Sequence, residues 1–328
     1  MTDDVQLLGI SNAIVDVLAH VDTEFLERID AAPGSMTLID RERAREVYQM
    51  MGPATEMSGG SVANTIAGFA NLGGQTAYIG KVHADQLGEI FNHDMRTLGV
   101  DVRLPAARNG APTAHCHVLI TPDGQRTMQT YLGACTELGT PDITPKTMGA
   151  PKAILIEGYV WDIPEGPDLA DKAIDIATQN GTTVALSLSD ALCVERHRDS
   201  FDDAVRNGVD IIVADEDEVN ALMQTETFEE TLEAIADYDN LFAMTRSEKG
   251  SVIVHGDETI VQPATPVKEV VDTTGAGDAY TAGFLFGWAN DKALAECARI
   301  GTYCATRVIQ QIGARIEAGL LDDYDPKA

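Results

Sequence analysis

The chain has 328 residues, 44% of them hydrophobic and 23% charged, which is enough apolar material for one large domain or a large domain with a small addition. Its 52 acidic against 23 basic side chains give a formal net charge of −29, so no broad phosphate-neutralising face can form and nucleic-acid binding is excluded. The five cysteines are scattered without a C-x-x-C pair, no run approaches the roughly 18 apolar residues of a membrane span, and residues 1–4 lack the basic start of a signal peptide, so a soluble cytoplasmic protein with reduced thiols and no membrane partner is expected.

Short apolar runs alternate with amphipathic stretches along most of the chain. Residues 5–10 read as a first strand, followed by Asn12 and Asp16, and residues 15–25 also read as extended. The run Ser58-Gly59-Gly60-Ser61-Val62-Ala63-Asn64 leads into a helix predicted over 61–72. A strand at 76–79 and a helix at 86–98 come next. Residues 114–121 and 125–131 flank Pro122-Asp123-Gly124, a turn signal, and so predict a β-hairpin. Period-two alternation puts His115 and His117 on one face of that hairpin and Cys116 on the other, which breaks up any three-ligand zinc set.

Beyond the hairpin, strands at 153–157, 183–188, 211–214, 241–245 and 251–254 alternate with helices at 166–180, 200–207, 216–223 and 228–236. This order predicts an α/β fold with a central, mainly parallel sheet flanked by helices on both faces, and ligands at the carboxyl ends of its strands. Residues 15–40 and 111–135 are expected to form a small β-sheet lid, leaving 1–14, 41–110 and 136–328 as the large domain. A lid of this kind excludes water from a reacting phosphate. The acidic tail at 321–328 reads as frayed.

The most informative run is Asp272-Thr273-Thr274-Gly275-Ala276-Gly277-Asp278, set directly before an apolar stretch at 279–289. Glycines ahead of a buried helix leave backbone N–H groups bare at its positive end, which makes an anion site suited to phosphate. A carboxylate beside that site repels phosphate, but it can accept the proton of a hydroxyl that attacks one. The pattern therefore points to phosphoryl transfer to an alcohol, with an ordinary Asp N-cap as the structural alternative. A P-loop is absent, since Gln75 and Val82 stand where its first Gly and its Ser/Thr belong, and Tyr280 replaces the third glycine of a dinucleotide fingerprint.

Residues 272–278, together with Gly59–Asn64 and the downstream 73–85 segment, resemble the two signatures of the PfkB (ribokinase-like) carbohydrate and nucleoside kinases, and the resemblance spans nearly the whole chain. It implies ATP as phosphoryl donor, Mg²⁺, and a small-molecule sugar or nucleoside acceptor. It also implies Asp278 as the base and the N–H groups of Gly275, Ala276 and Gly277 as an anion hole. Glu218 matches the acid of the family's Asn-x-x-Glu motif, which organises Mg²⁺ largely through water, while Asp215 replaces its Asn. Thr245, Ser247 and Gly250 fall on the nucleotide loop, with Ser247 in place of a Gly. Asp272 and Thr274 match positions that hold a monovalent cation such as K⁺ in some members; hydrogen-bonded loop residues look the same.

The acceptor side is most similar to the adenosine kinase branch. Gly-Gly-Ser-Val-Ala-Asn at 59–64, the Asn12 to Asp16 spacing, Gly275 and Gln125-Arg126 carry that similarity. It implies that Asn12, Asp16, Gly59, Gly60 and Asn64 hold the ribose, that Ile14 and Tyr159 wall the base, and that Arg126 turns toward the phosphates as the lid closes. A sugar kinase acting on ribose or a ketose, a kinase for another nucleoside, and a non-catalytic ligand-binding homologue remain alternatives. The apolar lid face fits a monomer closing on its substrate or a homodimer.

Overall fold

Apolar runs of four or five residues, bounded by turn residues, form the strands at the centre of the molecule. The computed structural model describes residues 4–325; positions 1–3 and 326–328, the outer ends of the predicted large domain and of the predicted frayed tail, lie outside the described residues. In chain order the elements are β1 (Leu7–Ile10), β2 (Ile14–His20), α1 (Thr23–Arg28), β3 (Met36–Leu38), α2 (Arg41–Met50), β4 (Thr55–Gly59), α3 (Ser61–Asn71), β5 (Thr76–Ile79), α4 (Gln86–Thr97), β6 (Asp101–Val102), β7 (Ala114–Ile120), β8 (Arg126–Tyr131) and α5 (Pro145–Met148). They continue with β9 (Ala153–Glu157), α6 (Gly166–Asn180), β10 (Thr183–Ser187), α7 (Ala191–Asn207), β11 (Ile211–Asp215), α8 (Glu216–Met223), α9 (Phe228–Ile235), β12 (Leu241–Thr245), β13 (Ser251–His255), β14 (Glu258–Gln262), α10 (Ala276–Ala289) and α11 (Leu294–Val308).

The large sheet has the order β14-β13-β12-β11-β10-β9-β1-β5-β6. Its neighbours pair in parallel from β12 to β6, and β13 and β14 add an antiparallel edge. Alternate residues of each strand feed opposite cores. Leu8, Ile154, Ile156, Leu186 and Phe242 pack on one side with α6 and α7, while Leu7, Leu155, Ala185 and Ala243 pack on the other with α3, α10 and α11. Burial on both faces explains why these strands read as continuous apolar runs.

The second sheet has five strands in the order β3-β8-β7-β2-β4. Four of them come from the segments expected to form the lid, but β4 comes from the stretch assigned to the large domain. Its sequence, Thr-Glu-Met-Ser-Gly, is largely polar because β4 is an edge strand, so no apolar period marks it. The predicted extended run at 15–25 also ends early. β2 stops at His20, and α1 starts at Thr23 because the Asp22 side chain accepts from the Phe25 N–H at 2.7 Å. The helix expected from residue 200 begins at Ala191, capped by Asp190, and its non-helical turn at His197 hides the first half from a period count.

Phe25, Leu26, Ile29 and Val47 of the covering helices close one face of the small sheet over Leu119. The opposite face carries Cys116, Val118 and Ile120 with Ile14, Leu18 and Met128. His115 and His117 lie on the helix-covered side with ring centroids 5.0 Å apart. The tail is not frayed over residues 321–324: Leu321 packs on the core, and Tyr324 meets the Tyr303 ring and donates to Glu296 at 2.9 Å.

Helices α3 and α10 cross closely because small residues meet there. A β-carbon at Gly68 would lie 3.1 Å from Ala282 Cβ and 2.9 Å from Ile316 Cδ1. This contact sets the N-termini of both helices side by side. Gly68→Val is therefore expected to cost about 1–3 kcal/mol by overpacking and to lower the thermal midpoint by several degrees, measured by calorimetry.

Candidate active site

Gly275 ends the 272–275 loop with φ 75°, in the left-handed region, and caps α10. A β-carbon there would lie 2.4 Å from Ala314 Cβ, so both backbone conformation and space demand glycine. Gly277 follows in the first turn with open space over it, and Ala276, Gly277 and Asp278 line a cleft of about 770 Å³. An apolar helix thus aims the positive end of its dipole into the cleft.

The Asp278 carboxylate is held from the first turn of α3. Ser61 Oγ donates to Oδ1 at 2.7 Å, and Asn64 Nδ2 donates to Oδ2 at 3.1 Å. Thr65 Oγ1 donates to the Asp278 carbonyl at 3.3 Å. Burial pushes the Asp278 pKa up to about 6, against the opposing pull of Ser61, Asn64 and the Arg315 charge.

The predicted acceptor residues converge on the same place. Asp16 on β2 lies so close over Gly59 that a β-carbon there would be 2.2 Å from its Oδ2, and Gly60 meets the Asn12 carbonyl in the same way. Burial raises Asp16 to about 6 as well, while Arg315 and Arg126 pull it down. Asn12 Nδ2 donates to the Tyr159 carbonyl at 3.2 Å, and Asn12 Oδ1 is buried with no partner among the described residues. A buried amide oxygen left open in this way suits a ligand hydroxyl.

On the other side of the cleft, Asp215 and Glu218 form a capping box for α8: Asp215 Oδ1 accepts from the Glu218 N–H at 2.8 Å, and Glu218 Oε2 accepts from the Asp215 N–H at 2.9 Å. Burial, then the neighbouring Asp215, pushes Glu218 up to about 8. Thr245, Ser247 and Gly250 line the same cleft at the carboxyl end of β12. Ser247 has φ 53°, the left-handed backbone that the glycine of the resembling loop would adopt without cost.

Arg126 of the small sheet pairs with Asp272 of the anion loop. The Asp272 carboxylate also accepts from the N–H groups of Thr274 at 3.0 Å and Gly313 at 2.8 Å. Arg126, expected to turn toward the phosphates, is thus drawn to the 272–275 loop.

Two site residues were not legible as such in the sequence. Glu157, at the carboxyl end of β9, accepts from the backbone N–H of Asn12 at 3.3 Å and of Val62 at 2.9 Å, tying the β1 end to the α3 start. An acid closing the apolar run Ala-Ile-Leu-Ile was the one signal that could have found it. Arg315 reaches from the segment after α11 to the Ala63 carbonyl at 3.1 Å, and nothing local in its sequence marks it.

The sequence signature described as pfkB family carbohydrate kinase matches residues 21–318. Among solved structures, the chain is similar to adenosine kinase from Sinorhizobium meliloti, at 46% identity and a TM-score of 0.90, covering 97% of this chain and 98% of that one. It is equally similar in fold to a probable sugar kinase from Rhizobium etli CFN 42, at 44% identity and a TM-score of 0.90, covering 98% of each chain. A more distant relative is the adenosine kinase of Saccharomyces cerevisiae, 28% identical over 338 residues that cover 95% of this chain and 96% of that protein.

The Gly275 cap makes the geometry of the anion loop testable. Gly275→Ala is expected to cost on the order of 2 kcal/mol through its left-handed backbone and the contact with Ala314, and to lower the thermal midpoint measurably. An unchanged midpoint would show that the loop tolerates a side chain there.

Proposed function

The chain belongs to the pfkB family of carbohydrate kinases, and we propose that it phosphorylates the 5′-hydroxyl of a nucleoside, with adenosine as the preferred acceptor. Family membership makes it an ATP-dependent kinase acting on a small-molecule hydroxyl. The observation that carries the mechanism is a carboxylate, Asp278, fixed by Ser61 and Asn64 in the first turn of a helix whose N-terminus opens on the cleft.

In this reading the acceptor oxygen attacks the γ-phosphorus of ATP in line. The new O–P bond forms as the bond from phosphorus to the bridging oxygen breaks, and ADP leaves with that electron pair. The hydroxyl proton passes to Asp278. The backbone N–H groups of Gly275, Ala276 and Gly277 stabilise the charge on the transferred group. Asn12, Asp16, Gly59, Gly60 and Asn64 hold the sugar hydroxyls, Ile14 and Tyr159 flank the base, and Thr245, Ser247 and Gly250 receive the nucleotide. Arg126 leaves Asp272 to meet the phosphates as the small sheet closes.

Mg²⁺ fits this cleft. Among the described residues no three acid, His or Cys side chains converge as direct ligands, but Glu218 is a buried acid beside Asp215, a pairing that a cation bound through water and the ATP phosphates would relieve. Bound there, Mg²⁺ would neutralise charge on the phosphate oxygens. K⁺ at Asp272 and Thr274 fits less well as long as Arg126 supplies a positive charge to that carboxylate, and no step here depends on it.

The preference for adenosine is supported by the Asn12/Asp16 spacing, by Gly275, and by the 46% identity to an adenosine kinase. That activity makes AMP and belongs to purine salvage. The 44% identity to a probable sugar kinase favours a second reading, in which a ribose-like sugar is the acceptor. A thermal-shift panel of adenosine, guanosine, cytidine, ribose and fructose separates them. Stabilisation by adenosine is expected; stabilisation by the free sugars alone would overturn the nucleoside reading.

Asp278→Asn is expected to lower kcat by about 10²- to 10⁴-fold with acceptor binding nearly unchanged, measured by ATP consumption and calorimetric titration. The base works deprotonated, so kcat/KM should rise with pH through about 6 and level off above it. A profile flat from pH 5 to 8 would argue against a buried carboxylate as the base.

A further inference from the structure

The segment from Ser58 to Asn64 joins β4 to α3 and carries most of the contacts that organise the site. Asp16 lies over Gly59, the Asn12 carbonyl over Gly60, and Ser61 and Asn64 hold Asp278. Both ends of this segment are gripped by one side chain. Arg315 donates through Nη2 to the Ser58 carbonyl at 2.5 Å and to Ser58 Oγ at 2.9 Å, and through Nη1 to the Ala63 carbonyl at 3.1 Å. The Ser58 N–H in turn donates to Asp94 Oδ2 of α4 at 2.9 Å.

All three acceptors of Arg315 are neutral oxygens, and among the described residues it makes no direct ion pair. A guanidinium does not lose its proton in a protein, so its charge is present whatever the pH. The acids that feel that charge are Asp16 from β2, Asp278 from α10 and Asp94 from α4, with Tyr78 from β5 also nearby. Arg126 adds a second cation toward Asp16, and Glu157 of β9 and Glu218 of α8 add opposing acid charges toward Asp278. Two buried carboxylates in one site oppose each other's ionisation unless a cation stands between them.

We propose that Arg315 is a positioning residue for the phosphoryl transfer: it clamps the 58–64 segment and supplies a shared positive charge that lets Asp278 and Asp16 be ionised together. The inference rests on Asp278 as the base. Burial lifts both acids, and Arg315 counts among the groups that lower each of them, which agrees with this role.

Arg315→Gln keeps an amide donor for Ser58 and Ala63 but removes the charge; Arg315→Lys keeps the charge but loses the fork. With Arg315→Gln, the acid limb of the kcat/KM profile should move up by about one pH unit, a loss of about fivefold at pH 6 and close to tenfold at pH 5 that recovers by pH 8.5. With Arg315→Lys the limb should stay in place while the acceptor KM rises. An equal loss at every pH in Arg315→Gln, with the limb unmoved, would overturn the proposal. Should that variant be insoluble, Arg315→Lys decides, because a limb displaced upward despite the retained charge would overturn it equally. Asp278→Asn measured alongside keeps the two ideas apart: near-full turnover there removes the base itself, whereas an inactive Asp278→Asn with an unmoved limb in Arg315→Gln removes only the role of Arg315.

Discussion

The site depends on two helix N-termini being brought to one carboxylate. Ser61 and Asn64 belong to the first turn of α3, and Asp278 to the first turn of α10; the hydrogen bonds of 2.7 and 3.1 Å between them exist only because the helices pack closely at Gly68 and Ala282. The cost of this arrangement is a buried acid at the positive ends of two helices, with its ionisation opposed by burial and aided by its donors. Loop, cap and core are therefore one system. Ala314 leaves room only for glycine at position 275, and the following residue, Arg315, braces the neighbouring 58–64 segment.

Acid charge is concentrated in and beside this cleft, well beyond Asp278 alone. Asp16, Asp278, Glu157 and Glu218 are all raised by burial, and Asp215 with them. Glu157 and Glu218 satisfy backbone N–H groups at strand and helix ends, which is why an acid is tolerated there at all. The net charge of −29 acts at long range and is screened, whereas these few buried acids act on one another at short range, where screening is weak.

The central strands were legible because double burial leaves unbroken apolar runs, and the anion loop because glycines before an apolar helix have few other uses. β4, β6 and β14 were not, since short or exposed edge strands carry no period: β4 reads Thr-Glu-Met-Ser-Gly and β14 reads Glu-Thr-Ile-Val-Gln. Among candidate site residues, those lying in glycine-rich turns could be picked out: Ser61, Gly277 and Asp278 line the cleft, and Asp16 lies over Gly59 beside it. Glu157 and Arg315 act on partners 95 and 252 residues away, on backbone groups that have no sequence signature. Only the fold brings such pairs together.

The small sheet is joined to the large one through residues proposed above to hold the acceptor. Between β1 and β2 the chain passes through Asn12, and between β4 and α3 it passes through Gly60, whose φ of 95° makes the turn. On the acceptor reading proposed above, these crossings are joints as well as contacts for the ligand. A rotation of the small sheet would then turn bonds beside the ligand, so that ligand shape and sheet angle would be coupled as torque on two short joints.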